Sequence, residues 1–396
     1  MSVWKPTTPV DLAVVGGGAI GLAVAWQAIR GGLSVVVLER DRPGGGTSRY
    51  AAGMIAPIAE ARPAEEPVLD LGLRSARLYP SFVAALQRAS GLATGYTPCG
   101  TLLVARDDDE ARHLERELAL RARFGLAATR LRPSAARRLE PALTPSLRLA
   151  LDVPDDHAVD PRMLTAALAA AVGAVGGVIR EGAEVTAVRE RAGRVAGVTC
   201  ADGSELDAAQ VVIAAGPWSE RLAVPGLPDL RPVKGQILRL HDPAGPGLLT
   251  RVVRMGPSYV VPRGDGRYVI GGTTEERGFD TSVTAGAVFE LLRDASELVP
   301  GVWEFVLDEC SAALRPGSAD NLPVIGPGAL SGLHWATGHG RGGILLAPVT
   351  AALVCAGLDG VAPAAAEPEA AAALDGLDPA PFAPGRFARV AAGSPG

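Results

Sequence analysis

The chain has 396 residues and nearly balances 38 basic against 43 acidic side chains, for a formal net charge of −5. This length predicts two closely joined domains, and the charge balance gives no electrostatic footprint for nucleic acid. The cysteines have no CxxC spacing and the five histidines form no metal-binding motif, so we expect no metal and buried free thiols at Cys99, Cys200, Cys310 and Cys355.

The first motif is a glycine-rich turn between two apolar runs. Residues 11–15 predict a buried strand, residues 19–30 a helix that ends at a Gly-Gly pair, and residues 34–38 a second buried strand. Gly16 permits the tight turn, Gly18 lets backbone N–H groups approach a pyrophosphate, and Gly21 packs the helix on the strand. Glu39 would accept the ribose hydroxyls. This βαβ unit predicts a site for an adenine dinucleotide, with the phosphates at the helix N-terminus.

Residues 12–29 also have an alternative interpretation as a signal peptide or membrane span, because they are apolar apart from Gln27. The glycine cluster and the immediate return to a β-branched strand disfavour it, and no positive cluster or cleavage site flanks the run. No other segment is apolar for about 18 residues. We therefore expect a soluble, cytoplasmic protein that does not bind a membrane.

Two biased stretches predict structure rather than chemistry. Acidic residues 107–110, followed by alternating charges over residues 111–123, are typical of a helix N-terminus with a solvated face. The Ala/Pro-rich residues 360–373 predict a mobile surface connection, and residues 391–396 a frayed end.

The middle of the chain alternates helical and strand patterns. Asp160 and Pro161 predict a capped start for a helix through residues 163–171, and residues 178–200 predict strands joined by short turns. Residues 211–216 form a buried strand that ends in Ala-Ala-Gly. This ending indicates backbone close to a flavin dinucleotide, or an ordinary core strand before a Gly-Pro turn.

From residue 232 to residue 269 the pattern changes to short strands separated by Gly, Pro and Asp, which predicts an antiparallel sheet in a second domain. Residues 264–266 predict a hairpin turn, and residues 285–297 a helix. A last glycine-rich loop, residues 338–343, precedes an apolar helix over residues 344–358. That helix start could donate N–H groups to the anionic part of a reduced flavin, or the loop could be a tight turn before a packed helix.

Together these motifs carry a family resemblance that extends over about the whole chain. The chain resembles the D-amino-acid oxidase superfamily of FAD enzymes, and within it the glycine oxidases associated with thiamin thiazole synthesis. Beyond the nucleotide fold, the matching motifs are AAGM at 51–54, GTLL at 100–103, VDPR at 159–162, PVKG at 232–235, YVVPR at 259–263, LRPG at 314–317 and GILLAP at 343–348.

The resemblance implies an α/β fold with a discontinuous, Rossmann-like FAD-binding domain and an α+β substrate domain built on an antiparallel sheet. We expect residues 1–82, 156–222 and 322–378 in the FAD-binding domain. Residues 83–155 and 223–321 would form the substrate domain, and residues 379–396 a C-terminal tail.

The implied reaction is oxidation of a Cα–N bond of an amino acid or amine by hydride transfer to flavin N5, with O2 reduced to H2O2. Arg315 matches the family arginine that holds the substrate carboxylate, Tyr259 the tyrosine that assists it, and Arg341 an arginine that lines the site. From the residues alone, Arg315 could pair with a surface acid, Tyr259 could be an ordinary strand aromatic, and Arg341 could face solvent.

The resemblance also implies noncovalent FAD, because relatives that attach flavin use a cysteine near the position of Ala313; Cys310 is the nearby thiol. The expected FAD contacts are Gly16, Gly18, Ala19, Ile20, Gly21, Glu39, Arg40, Thr47, Ser48, Ala51, Ala52, Gly53, Met54, Val185, Ala215, Gly216, Trp218, Gly340, Arg341, Gly342, Gly343, Ile344 and Leu345.

Departures from the family concern the substrate. Many glycine oxidases read His-Phe-Arg-Asn-Gly where this chain has glycine at 340 and 342, and Pro257 and Thr274 replace a histidine and a methionine. Lost side chains leave room, so we hypothesise a substrate bulkier than glycine, such as an N-substituted glycine. A dehydrogenase with a non-oxygen acceptor and a noncatalytic or tRNA-modifying flavoprotein are the alternatives, and a homo-oligomer is left open.

Overall fold

The computed structural model describes residues 9–362 and 368–387. Its strands, in chain order, are β1 Val10–Val15, β2 Val35–Leu38, β3 Met54–Ile55, β4 Thr101–Ala105, β5 Thr129–Leu131, β6 Leu149–Val153, β7 His157–Ala158, β8 Val178–Arg180, β9 Val185–Arg191, β10 Arg194–Cys200, β11 Glu205–Ile213, β12 Leu230–His241, β13 Val252–Met255, β14 Ser258–Pro262, β15 Arg267–Gly271, β16 Val306–Ser318, β17 Val324–Pro327 and β18 Leu333–Thr337. Its α-helices are α1 Ala19–Arg30, α2 Thr47–Tyr50, α3 Glu66–Ser90, α4 Asp108–Arg123, α5 Pro133–Leu139, α6 Pro161–Ala174, α7 Ala285–Leu298, α8 Ala347–Gly357 and α9 Pro368–Leu374.

The first sheet is mainly parallel and has the order β17-β18-β11-β1-β2-β8. Strand β1 lies between β2 and β11, with Val14 opposite Val37 on one side and Val212 on the other. All three valines are fully buried, as expected for the centre of a parallel sheet covered on both faces. The predicted βαβ unit is therefore present, and its glycine turn lies at the carboxyl end of β1.

Different elements cover the two faces of this sheet. Helices α1, α3, α6 and α8 pack together on one face in a large apolar core. On the other face, β9, β10 and the first half of β11 form an antiparallel meander with its own apolar cluster. Both faces are thus shielded from water, which leaves the strand ends as the accessible edge.

The second sheet has eight strands in the order β16-β12-β15-β14-β13-β4-β6-β5. It differs from the predicted antiparallel sheet of short strands in two ways. Strand β4, which comes from an earlier segment of the chain, pairs with β13 in parallel, and β12 and β16 are long strands of 12 and 13 residues. The sheet is therefore mixed, and helix α7 covers one of its faces.

The chain passes back and forth between the two sheets. Strands β1 and β2 belong to the first sheet, β4 to β6 to the second, β8 to β11 to the first, β12 to β16 to the second, and β17 and β18 to the first. Each crossing brings a connecting segment to the junction of the sheets. The small ladder of β3 and β7 lies on two of these segments.

Several local predictions agree with the structure. Asp107 caps α4 by accepting a hydrogen bond from the Glu110 N–H at 2.8 Å, and Asp160 caps α6 by accepting from the Arg162 N–H at 2.9 Å. Strands β14 and β15 form the hairpin predicted around residues 264–266, and α7 follows as expected.

Other local predictions need correction. Residues 360–373 were predicted to be a mobile connection, but residues 368–374 form helix α9, because their alanines pack on α3 and α8. Residues 363–367 and the predicted frayed end, residues 391–396, lie outside the described ranges. The four cysteines are free, but Cys310 is exposed and Cys99 only partly buried. Within the described ranges, no helix is both long and apolar enough to cross a bilayer.

Candidate active site

A cavity of about 520 Å³ lies where the carboxyl ends of β1, β2 and β11 meet one face of the second sheet. All the residues that the sequence predicts for the cofactor and the substrate line this cavity, apart from Gly21. Segments that are remote in the sequence therefore meet around one space. The residues in its wall determine what it can hold.

The glycine turn is tightly packed against the end of β11. Gly16 has φ +106°, and a Cβ there would lie 2.5 Å from the Ala214 carbonyl oxygen, so no larger residue fits. Gly21 contributes by packing, because a Cβ on it would overlap the Gly16 carbonyl oxygen. The turn thus leaves bare backbone at the cavity wall, which is the surface that a pyrophosphate requires.

Glu39 stands at the end of β2 beside the same turn. Its carboxylate accepts hydrogen bonds from the N–H groups of Gly17 at 2.7 Å and Asp41 at 2.9 Å. The Ser48 hydroxyl accepts the Ala19 N–H at 3.0 Å and covers the start of α1. Glu39 is therefore held in place while its remaining lone pairs are free to accept ribose hydroxyls.

Arg40, Trp218 and Arg221 line the cavity near Glu39, and Phe279 packs against the last two from outside the lining. The Arg40 guanidinium lies 4.2 Å from the centre of the Trp218 ring, and the Arg221 guanidinium lies 3.6 Å from that of Phe279. Val185 lines the cavity nearby. These flat groups suit an aromatic base, since stacking on rings and guanidinium planes is favourable.

The second glycine-rich segment differs from the prediction in where the following helix begins. Gly340–Gly342 is a single 3-10 turn, and α8 begins at Ala347, three residues later than the predicted start at Ile344. The His339 ring, just before the turn, is buried and lies 3.0 Å from the Thr350 hydroxyl, and burial lowers its pKa to about 3. Because it has no net charge at neutral pH, His339 can pack inside the protein without an ion-pair partner.

The segment before α8 lines the cavity with residues 343–346. Within the described ranges, the N–H groups of Gly343, Ile344 and Leu345 have no hydrogen-bond acceptor in the protein. Their orientation is set from behind by α3, where the Tyr79 hydroxyl donates to the Ile344 carbonyl and the Ser75 hydroxyl to the Leu345 carbonyl, both at 2.6 Å. The sequence prediction missed Ser75 and Tyr79. Three free N–H groups suit an anionic ring edge.

The candidate substrate residues share one face of the second sheet. Tyr259 lies opposite Gly271, Gly271 opposite Ile237, and Ile237 opposite Ser311. Directly opposed residues project from the same face, and so does Arg315, four residues beyond Ser311 on β16. Tyr259 and Arg315 both line the cavity.

Their polar ends converge beside Gly272. A Cβ on that glycine would lie 2.9 Å from the Tyr259 hydroxyl and 3.5 Å from Arg315 Nη2. Arg315 Nη1 donates to the Thr273 carbonyl at 3.0 Å, which orients the guanidinium. Burial raises the pKa of Tyr259 above its usual value of 10.0, so the hydroxyl stays protonated and can donate at neutral pH. The pair forms a compact donor site for a carboxylate.

Arg341 lines the cavity but is engaged by the protein itself. It forms an ion pair with Glu65, and its Nε lies 3.6 Å from a Glu60 carboxylate oxygen. Glu60 also accepts from Arg254 Nη1 at 3.1 Å. The sequence prediction named neither acid nor Arg254; the available signal was a charged loop, residues 60–66, shortly after the AAGM motif.

A buried pair clamps the loop that carries Glu60. The Asp156 carboxylate accepts the N–H groups of Ile58 and Ala59, while the Arg121 guanidinium donates to their carbonyls at 3.0 and 2.9 Å. Both side chains are fully buried, and burial raises the pKa of Asp156 to about 7. This clamp positions the loop independently of any ligand.

Among the described residues, the cavity wall contains no thiol. Its lining includes Ala313 but no cysteine, and Cys310 lies three residues away, on the opposite face of β16. Across residues 9–362 and 368–387, no three His, Cys, Asp or Glu side chains are grouped to hold a metal ion. The wall therefore offers no thiol for a covalent flavin bond.

Comparison with known proteins agrees with this geometry. Residues 11–356 match the DAO family, described as FAD dependent oxidoreductase. The chain is 38% identical over 355 residues to the bifunctional protein ThiO/ThiG of Synechocystis sp., covering 88% of this chain and 51% of that protein. The chain thus spans about half the length of the bifunctional relatives it matches.

Two solved structures are also similar. Glycine oxidase from Geobacillus kaustophilus is 34% identical over 349 residues, which is 87% of this chain and 91% of that protein. Its crystal structure superposes with a TM-score of 0.86 at 31% identity and covers 96% of this chain and 99% of that one. Iminodiacetate oxidase from Chelativorans sp. BNC1 has a TM-score of 0.80 at 28% identity and covers 89% and 96%.

The cavity fits FAD, the cofactor of this family, at both of its ends. Gly16 leaves no space for a Cβ beside the predicted phosphate position, and residues 343–345, whose N–H groups have no acceptor in the described part of the protein, line the other end. Glu39, Trp218 and the amides of residues 343–345 are the groups that would hold it. With a matched model over residues 11–356 and a cradle that suits the cofactor, the chain belongs to the DAO family of FAD-dependent oxidoreductases.

Proposed function

We propose that the protein is an oxidase that breaks a Cα–H bond next to the nitrogen of an amino acid and forms an imine. The observation that carries this proposal is the convergence of Arg315 and Tyr259 beside Gly272, on the wall of the FAD cavity. A planar guanidinium and a protonated hydroxyl together bind a carboxylate. The α-carboxylate would thus be fixed at one end of the substrate.

Positioning is the main task of these residues. FAD, when bound, supplies the hydride acceptor. Arg315 holds the carboxylate through two parallel hydrogen bonds, and Tyr259 adds a third, so Cα is kept at a set place in the cavity. The apolar side chains of Val233 and Ile237 line the same face and limit the access of water to the reacting carbon.

The relatives support the same reaction class. Those named glycine oxidase match the chain over most of their own length, at 34% identity for the Geobacillus protein. We propose that O2 is the final electron acceptor and is reduced to H2O2, and that FAD is held noncovalently. The absence of cysteine from the cavity lining supports noncovalent binding.

A second candidate is an oxidase of an amino acid bulkier than glycine. A Cβ on Gly340 would meet no atom within 4 Å, so this part of the loop borders open space. A structural neighbour is named for iminodiacetate, in which the glycine nitrogen carries a second substituent. Both observations favour an N-substituted glycine.

The test is anaerobic reduction of the yellow holoprotein by a panel of glycine, sarcosine, D-amino acids, N-substituted glycines and secondary amines. Bleaching of the flavin identifies substrates, and admission of air followed by a peroxide assay tests the acceptor. Arg315→Ala should cost about 3–4 kcal/mol of transition-state stabilisation, which lowers kcat/KM roughly 150- to 900-fold. Arg130→Ala, which removes an exposed arginine of the same sheet, should have no effect. Near-normal kinetics for Arg315→Ala would remove that residue from the carboxylate site.

A further inference from the structure

Arg254 brings a second guanidinium group to the substrate end of the cavity. It lies on β13 directly opposite Tyr259 on β14, so both side chains project from the same face of the sheet. Arg315 lies on β16, at the other side of Tyr259 in the strand order. All three side chains line the cavity. A substrate held by Arg315 and Tyr259 would therefore have Arg254 within reach of its other end.

The hydrogen bonds of Arg254 leave part of its guanidinium available. Nε donates to the Gly256 carbonyl and Nη1 to Glu60, each at 3.1 Å. Within the described ranges, Nη2 has no acceptor in the protein, although the side chain is only 13% exposed. Unlike the Nε atoms of Arg239 and Arg263, which have no hydrogen-bond partner among the described residues and are sealed from solvent, Nη2 is accessible and can donate a charge-assisted hydrogen bond to a ligand.

The charges around this nitrogen favour an anion. The loop and the strand bring together three guanidinium groups, on Arg62, Arg254 and Arg341, but only two carboxylates, on Glu60 and Glu65. Both acids are already paired, Glu60 with two of the arginines and Glu65 with Arg341. A cationic substituent would have to compete for those acids, whereas an anionic substituent would meet one uncompensated positive charge.

We propose that Arg254 is a specificity-determining residue that binds a second anionic group of the substrate. The preferred substrates are then glycine derivatives with a second carboxylate, one carboxylate on Arg315 and the other on Arg254. This inference rests on the proposed oxidase function and names the substrate class. It requires no new chemical step, since only the group that recognises the distal end of the substrate is added.

Three probes of similar length separate charge from size. N-(carboxymethyl)glycine, which is iminodiacetate, carries the second anion; N-(carbamoylmethyl)glycine is its neutral amide; and N-(2-aminoethyl)glycine is cationic. For the holoprotein, kcat/KM should be about tenfold to hundredfold higher for the dicarboxylate than for the amide, as expected for a charge-assisted pair. The cationic probe should be the poorest of the three.

Variants of Arg254 show whether this side chain causes the preference. Arg254→Gln keeps hydrogen-bond donors but loses the charge, so the ratio of kcat/KM between dicarboxylate and amide should fall to about one. Arg254→Lys should restore part of that ratio, mainly through KM. Arg130→Gln is the matched control, because Arg130 is an exposed arginine on the same sheet that pairs with Glu115 of α4, and its loss should leave the ratio unchanged.

Binding without turnover separates this inference from the proposed function. Thiodiacetate has two carboxylates but no amine, and its dissociation constant is read from the change in the flavin spectrum. It should bind the holoprotein at least tenfold more tightly than (methylthio)acetate, which lacks the second carboxylate, and Arg254→Gln should remove that difference. If glycine derivatives reduce the flavin but charge makes no difference to kcat/KM, or Arg254→Gln keeps the ratio, the second anion site is wrong and the oxidase function stands. If glycine or another member of the panel reduces the flavin but the dicarboxylate does not, the second anion site is wrong as well. If no compound of the whole panel reduces the flavin, the oxidase function is wrong, whatever thiodiacetate does.

Discussion

Gly235 allows the Arg315 guanidinium to be displaced without being removed. A Cβ on Gly235 would overlap Nη2, Cζ and Nη1 of Arg315, and these are its three nearest atoms. The φ of Gly235 is outside the left-handed region, so the backbone accepts alanine. In Gly235→Ala the guanidinium must therefore move, while the charge and the rest of the site remain.

The expected fall in kcat/KM for Gly235→Ala follows from the hydrogen bonds that the displaced guanidinium loses. Displacement breaks its 3.0 Å hydrogen bond to the Thr273 carbonyl and misaligns the two bonds to a substrate carboxylate. Hydrogen bonds to charged groups contribute about 1.5–3 kcal/mol, so kcat/KM should fall by roughly 10- to 150-fold. The loss is smaller than for Arg315→Ala. The free energy of unfolding should change by about 1 kcal/mol or less, because the overlapped atoms end a flexible side chain that faces a cavity.

The assay is stopped-flow reduction of the flavin by the best substrate of the panel, combined with thermal unfolding of the same preparations. Gly286→Ala is the control, since a Cβ at that position of α7 meets no atom within 4 Å. It should keep normal kinetics and gain about 0.5–1 kcal/mol of stability from helix propensity. If Gly235→Ala kept kcat/KM within about twofold of wild type, the guanidinium would not act from the place where it lies in this structure.

Three further substitutions test the cofactor cradle and the buried titrating groups. Gly16→Ala should lose most of the bound FAD, because its Cβ would lie 2.5 Å from the Ala214 carbonyl oxygen. The loss is measured as a fall in the ratio of absorbance at about 450 nm to that at about 280 nm, and a normal FAD content would contradict the predicted phosphate site. The pKa of Asp156 is raised from 3.8 to about 7, so the contribution of this carboxyl to the free energy of unfolding falls as the pH rises from 4 to 7, by up to about 1.4 kcal/mol per pH unit. Asp156→Asn should remove this contribution, which is measured as the difference from wild type in urea unfolding at each pH. The pKa of His339 is lowered from 6.5 to about 3, so the contribution of this ring to the free energy of unfolding falls as the pH drops from 6.5 to 3. His339→Gln should lack that contribution, and a pH dependence identical to that of wild type would show that His339 is not the group responsible.

Local spacing was sufficient to predict the dinucleotide unit. The strand, glycine turn, helix and acid follow one another within residues 10–39, and each depends on its own neighbours in the sequence. Caps at Asp107 and Asp160 were predictable for the same reason, because a capping side chain bonds to an N–H two or three residues away.

Long-range pairing could not be predicted in this way. The parallel pairing of β4 with β13 joins residues about 150 positions apart, and no local pattern specifies it. The start of α8 was predicted three residues early because the apolar sequence continues through Ile344 to Leu346, while hydrogen bonds from α3 hold that segment as a turn. Propensity yields to such contacts when they are buried.

The amino-acid sequence alone determined that this protein has a dinucleotide cradle, and family motifs in order predicted where cofactor and substrate would be bound. Only the tertiary structure decided which charged side chains at the substrate end form ion pairs with each other. Arg341 forms ion pairs with Glu60 and Glu65, whereas Nη2 of Arg254 has no acceptor within the described residues. The physical reason is that ion pairing depends on distances between side chains from separate segments, and these distances are set by the packing of the two sheets rather than by sequence spacing.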